Sequence, residues 1–157
     1  MNKYLIVFLI SMVPLIELRG AIPYAVGYDL PIAPSIAVAL LGNMLPVPFI
    51  FLFARKILSW GKDKQIIGGF CRWCLEKGEK GGRKLEAKAG VGLYMALLLF
   101  VGIPLPGTGA WTGTLAASLL DLNFRKSVIY ILLGLLLAAA IMLAASFGVF
   151  GAISLVK

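Results

Sequence analysis

Glu17-Leu18-Arg19-Gly20-Ala21-Ile22-Pro23 decides how this chain folds. It places a carboxylate, a guanidinium, a glycine and a proline directly behind an almost wholly apolar run, Tyr4 to Ile16, that is thirteen residues long. A helix needs roughly 17–25 apolar residues to span a bilayer, so that run is too short to cross alone. An ionised side chain at the bilayer centre costs roughly 2.5–3.5 kcal/mol, so the Glu17/Arg19 pair demands an account. Behind the break comes another short apolar run, Tyr24 to Tyr28, closed by Asp29. The pattern predicts a re-entrant hairpin: a half-helix goes in, the chain turns near the charged pair, and a second half-helix returns on the same side. Irregular backbone at that depth must be packed in protein or line a cavity, because lipid offers its N–H and C=O groups no partner.

The rest of the chain agrees with a lipid setting. Of 157 residues 61% are hydrophobic, and the mean hydropathy is +0.96, against roughly 45–50% apolar in soluble domains. There is no histidine, which removes imidazole-based triads and zinc sites with histidine ligands. The net charge of +8 is concentrated: ten of the fifteen basic residues lie between Arg55 and Lys88. A short loop so rich in Lys and Arg is expected on the cytoplasmic side of the plasma membrane, so the charge marks topology and not nucleic-acid binding. Within it, Ile66, Ile67, Phe70 and Trp73 have the spacing of a helix lying in the interface, which Gly78, Gly81 and Gly82 then break. Cys71 and Cys74 form a lone CxxC, half of a zinc site with nothing to complete it, so no metal or other cofactor is expected.

Ile32 to Ala54 gives twenty-three residues without a charge, a true crossing, kinked between Asn43 and Pro48 by Pro46 and Pro48. After the basic loop the order repeats. Val91 to Ile103 is again thirteen apolar residues, followed by Pro104-Leu105-Pro106-Gly107-Thr108-Gly109-Ala110 and a return to Asp121; Val128 to Val156 then provides a second crossing. Each return ends in Asp-Leu, at Asp29-Leu30 and Asp121-Leu122. The expected fold is one all-α integral membrane domain over residues 1–157. Its first hairpin and crossing occupy 1–54, a cytoplasmic basic linker with an interfacial helix 55–90, and a second hairpin and crossing 91–157. One crossing separates the halves, so the hairpins enter from opposite faces and the halves form an inverted repeat, with both termini outside. A four-helix bundle of ordinary spans is the alternative, and a cleavable leader over residues 1–20 is opposed by Pro14 and Glu17.

Opposed hairpins bring their tips together near the midplane. The candidate site for substrate or proton coupling is Glu17, Arg19, Asn43, Thr108 and Thr112, with Gly20, Pro23, Pro104, Pro106, Gly107 and Gly109 shaping the tips. Arg19 offers a donor fork matched to phosphate or carboxylate, and Glu17 is expected to pair with it at rest. The uncapped N–H groups at the start of each return half-helix suit an anion. Trp111 reads as packing before it reads as a stacking surface.

Glu17-x-Arg19-Gly20-Ala21-Ile22-Pro23 and Pro104-Leu105-Pro106-Gly107-Thr108-Gly109-Ala110 resemble the two signature segments of the small multidrug export protein family, and the similarity in length and order covers nearly the whole chain. More distantly the chain resembles DedA and VTT-domain membrane proteins. That resemblance implies opposed re-entrant hairpins and movement of lipids, including polyprenyl phosphates, although the second arginine of the DedA pattern is missing here. The expected function is a membrane transporter or flippase of an anionic or amphipathic substrate, a lipid phosphate first, working by alternating access of the opposed hairpins around Glu17 and Arg19; the alternatives are an exporter of cationic drugs coupled to protons and a non-transporting membrane scaffold or assembly factor. An enzyme is not expected. The expected partners are membrane lipids, a small amphipathic substrate and a second copy in a homodimer, with no nucleic acid. Single cysteines placed at Asn2 and at Asp29 should react with an impermeant thiol reagent from the same side of the membrane; reaction from opposite sides would remove the first hairpin.

Overall fold

The computed structural model describes every residue except Met1, Leu15, Phe70, Cys74, residues 77–91, Pro106 and Lys157, and leaves out the side chains of Arg55 and residues 153–156. Among the described residues the chain is all helix: α1 (Lys3–Met12), α2 (Glu17–Gly27), α3 (Ile32–Met44), α4 (Pro46–Gly61), α5 (Gly92–Gly102), α6 (Ala110–Leu119) and α7 (Phe124–Val156). Two stretches are long and apolar enough to cross a membrane, Ile32–Ala54 and Phe124–Ala152. At 1.5 Å per residue, α1 and α5 are each only about 15 Å long, half of a hydrocarbon core of about 30 Å.

Where each helix stops follows from local chemistry. Val13 precedes Pro14, and the proline ring pushes it to an extended conformation (φ −71°, ψ 126°) that ends α1. Leu45 also precedes a proline yet stays helical (φ −60°, ψ −46°), so α3 runs into α4 as one kinked path through the expected Asn43–Pro48 region. Asn123 caps α7, its side-chain oxygen accepting from the Lys126 N–H at 3.2 Å. The two Asp-Leu pairs turn out to be one motif used twice. Asp29 and Asp121 have φ of 52° and 53°. Leu30 N–H bonds Ala25 C=O at 2.9 Å and Leu122 N–H bonds Ala117 C=O at 3.0 Å, with Asp29 bonding Val26 and Asp121 bonding Ser118. Both are Schellman closures with aspartate in the left-handed position that glycine usually takes.

Packing is matched in the same way. In each half the first short helix lies on its own long apolar stretch, α1 on α3 and α5 on α7, while the second lies on the long stretch of the other half, α2 on α7 and α6 on α4. Glycine makes the close approaches. A Cβ on Gly42 would stand 2.7 Å from the Phe8 carbonyl of α1, and one on Gly134 would stand 2.7 Å from the Leu98 carbonyl of α5. Gly20 abuts Ile10 across the first pair of short helices, and Gly113 abuts Val101 across the second. Two cores result. One gathers Val7, Leu18, Ile22 and Ala39 with Ala138 and Ala139; the other gathers Leu97, Val101, Ala110 and Ile131 with Val47.

Two expectations about the hairpin tips need correction. Gly20 and Pro23 lie inside α2, not at a tip. The bend falls earlier, between Val13 and Ile16, because Pro14 dictates it, and Gly20 is used for contact with α1. Pro23 deprives only the Arg19 carbonyl of its helical partner, which a membrane helix tolerates. The interfacial stretch begins later than expected: residues 68–69, 71–73 and 75–76 are helical, with Ile66 97% and Trp73 55% exposed. Phe70, Gly78, Gly81 and Gly82 fall outside the described residues. Gly134→Ala should cost about 1–3 kcal/mol by overpacking, read as a lowered thermal midpoint in detergent, while Gly148→Ala, whose added Cβ meets nothing within 4 Å, should leave the midpoint unlowered. Equal losses at both positions would contradict this packing.

Candidate functional site

The second break, between α5 and α6, is built from glycine and proline and has few side chains of its own with which to satisfy its backbone. The α6 N-cap is Gly109 (φ 134°, ψ −173°), which offers no capping oxygen. Its helix therefore begins with orphan N–H groups at the positive end of the helix dipole. The missing acceptor comes from the other half of the chain. Glu17 Oε2 accepts from the Ala110 N–H at 3.0 Å and Glu17 Oε1 accepts from the Trp111 N–H at 3.0 Å. One carboxylate thus caps α6 with both oxygens, and it is almost completely buried, 3% exposed.

Arg19, one helical step away, serves the opposite end of the same break. Its Nη1 donates to the Leu105 carbonyl at 2.5 Å, and its Nη2 donates to the Ile103 carbonyl at 3.3 Å and to Thr108 Oγ1 at 2.6 Å. Thr108 in turn donates within the loop, toward Ile103 or Leu105. The guanidinium thus adds a charged donor to the Ile103 and Leu105 carbonyls, which also accept from the Leu105 and Thr108 N–H groups at 2.8 and 3.2 Å, and the carboxylate neutralises N–H groups left over where α6 begins. The expected ion pair at rest between Glu17 and Arg19 is replaced by this division of labour. Likewise the anion site expected at the start of the second return helix is already filled, by Glu17.

Geometry at Glu17 is costly and specific. Glu17 opens α2 with φ 50°, a left-handed conformation worth roughly 1–2 kcal/mol of strain for a residue with a Cβ. Strain of this kind persists where the surroundings over-determine it. Gly109 is required twice: its φ of 134° is open only to glycine, and a Cβ there would collide with the Glu17 carboxylate. Glu17 also lines a largely apolar cavity of about 290 Å³, together with Pro14, Ile50, Thr108, Trp111, Thr112 and Leu115.

Of the residues expected at the site, Glu17, Thr108 and Thr112 come together on that wall, and Arg19 stands beside it, bonded to the loop. Gly107 and Gly109 shape the loop with positive φ. Pro104 lies in the break, and Pro106 is outside the described residues. Asn43 does not join them. It is fully buried, its Nδ2 donates to the Ala39 carbonyl of its own helix at 3.2 Å, and α4 sends Ile50 to the wall instead. Trp111, expected as packing, is on the wall, and its indole N–H is buried with no hydrogen-bond partner among the described residues. Ile50 and Leu115 were missed, since an apolar residue facing a cavity is indistinguishable in sequence from one facing lipid. The capping role of Glu17 had a signal, a helix starting Gly109-Ala110-Trp111 with no side chain able to cap it. Among the described residues there is no cluster of three or more metal-ligating side chains.

Glu17→Ala should leave the Ala110 and Trp111 amides buried without acceptors, at a cost of about 1–3 kcal/mol. Hydrogen exchange of the first turn of α6 reads this directly, and faster exchange confined to residues 110–113 is the expected result. Unchanged protection there would mean the cap is unimportant.

Comparison with curated proteins and with solved structures returned no match. The model of one protein family, described as "Putative small multi-drug export protein", matches residues 17–141, opening on Glu17 itself and running through the second break into α7. With most of its length matched, including both charged positions and the loop they cap, the chain belongs to that family.

Proposed function

We propose that the protein is a membrane transporter that exports amphipathic cations in exchange for protons at Glu17. The observation that carries this reading is which charged residue lines the cavity: Glu17 does, with its carboxylate capping α6, whereas the Arg19 guanidinium is turned to three acceptors in the loop. The cavity is otherwise almost wholly apolar, with Trp111 among its lining residues, and a cation would reach the acid by displacing it from the Ala110 and Trp111 amides. A phosphate-bearing lipid would first need Arg19 to abandon its hydrogen bonds at 2.5 and 2.6 Å. The family description points the same way, toward export of small molecules.

The architecture in this reading is a pair of opposed re-entrant hairpins, α1–α2 and α5–α6, each with its crossing, related as an inverted repeat. Support comes from helices half a bilayer long, the two Schellman turns, the matched glycine contacts and the exchange of second helices between crossings. The basic linker of residues 55–90 faces the cytoplasm and both termini face outward.

Exchange follows from competition for a single carboxylate. Ionised and unliganded, Glu17 caps α6 and ties the two hairpins together. A proton on either oxygen, or a substrate cation against them, weakens the bonds to Ala110 and Trp111, so that the α6 start is released from α2. Two arrangements of the tips then differ in whether the cap is made, which is the bistable element that alternating access requires. Arg19 acts as a positioning residue, holding the Ile103–Thr108 loop while the cap opens. In proteoliposomes with an acidic lumen, the native chain should accumulate a cationic dye and Glu17→Gln should lose that accumulation by roughly a hundredfold, the scale of removing a charged hydrogen-bonding partner of about 3 kcal/mol. Accumulation by Glu17→Gln at the native rate would end the proposal.

A further inference from the structure

The Glu17 cavity does not end at its own wall. A second groove, about 460 Å³ in volume, runs along α4 and adjoins it, the two meeting at Ile50 and Leu115. Beyond the shared pair the lining is entirely apolar: Phe49, Phe53, Ala54, Ile57 and Leu58. Ile50, Ala54, Ile57 and Leu58 stand at i, i+4, i+7 and i+8, one stripe of α4. At 1.5 Å per residue, Ile50 to Leu58 covers about 12 Å, close to the half-thickness of a hydrocarbon core of about 30 Å. Phe49, Phe53 and Ile57 are 61%, 49% and 60% exposed, so the groove is open sideways along its length.

We infer that this groove is a tail site: it takes the single alkyl chain of a cationic amphiphile whose head sits against Glu17 and Trp111. The inference rests on the cation-exporter reading and adds to it a substrate shape and a lateral route from the bilayer. Charge fixes the orientation. Glu17 lies at one end of the adjoining grooves, and exposed Lys56, Lys62 and Lys64, with Asp63 among them, follow at and beyond the other, so the far end is net positive and a cationic head is favoured at the Glu17 end. The apolar stretch between offers the head no partner, which leaves that stretch to the tail. An alkyl tail gains little hydrophobic free energy on leaving lipid for an apolar groove. Selectivity for chain shape therefore comes from fit against Ala54 and Leu115, and filling the groove is the informative change.

The test uses the full chain in phosphatidylcholine nanodiscs and equilibrium binding of radiolabelled tetramethylammonium, dodecyltrimethylammonium and dodecyl sulfate. Ala54→Phe should weaken dodecyltrimethylammonium binding roughly tenfold by occupying the tail's space, with tetramethylammonium unaffected. Leu58→Trp, at the far end, supplies the same comparison should Ala54→Phe fail to fold by circular dichroism. Comparing each variant with the native chain cancels partition of the probe into the bilayer. Long-chain cation binding indifferent to both variants would overturn the tail site, as would loss of dodecyl sulfate binding alone, the mark of an anionic lipid headed at Lys56. Disulfide capture of a second copy through Phe49→Cys, at native yield in saturating dodecyltrimethylammonium, would overturn it too by assigning the groove to an interface between subunits. Glu17→Gln separates the two readings. It should weaken both cations, and if it weakens neither, cation export itself fails whatever the groove holds.

Discussion

A carboxylate at the start of a helix it does not belong to is the interaction on which this molecule depends. A helix that starts without a capping side chain leaves backbone N–H groups unsatisfied, and α6, which opens on Gly109, is such a helix. Glu17 caps those groups and Arg19 holds the loop before them, each bonded to backbone and neither spent on the other. The usual objection to buried ion pairs, that desolvation outweighs attraction, applies less here, because each charge replaces water with several oriented dipoles. A salt bridge alone would have left the loop uncapped.

The two halves are alike in scaffold and unlike at their tips. Schellman turns at Asp29 and Asp121 and close contacts at Gly42 and Gly134 repeat the same construction. At the first break the turn is short: Glu17 N–H bonds the Val13 carbonyl at 3.0 Å and Gly20 N–H bonds the Ile16 carbonyl at 3.2 Å. At the second, Gly107 and Gly109 take positive φ in a longer loop whose helix start is capped from outside. The cavity forms where the two breaks meet, with Pro14 and Glu17 from one and Thr108, Trp111 and Thr112 from the other.

Much of this was legible in the sequence, and the reasons for the remainder are physical. Run length marked the two helices long and apolar enough to cross a membrane, which the structure forms over Ile32–Ala54 and Phe124–Ala152. The Asp-Leu echo marked the two return turns before their hydrogen bonds were known. Glu17 and Arg19 announced themselves by cost. What the sequence hid was direction: nothing in Glu17-x-Arg19 says whether the charges face each other or a partner some ninety residues later. Gly20 and Pro23 misled because both residue types break helices in isolation, while here the bend was already set by Pro14 and the glycine served as a contact surface for Ile10. Asn43 misled because a polar side chain in a crossing reads as pore-lining, whereas its amide folds back on the Ala39 carbonyl.

Capping across the halves also imposes an order on biogenesis. A ribosome delivers residue 17 to the membrane long before residue 110, so the donors of charge are already waiting when the loop that needs them is inserted. Glu17 and Arg19 are thus synthesised some ninety residues before the backbone groups they bond, so the cap is in place as soon as α6 forms.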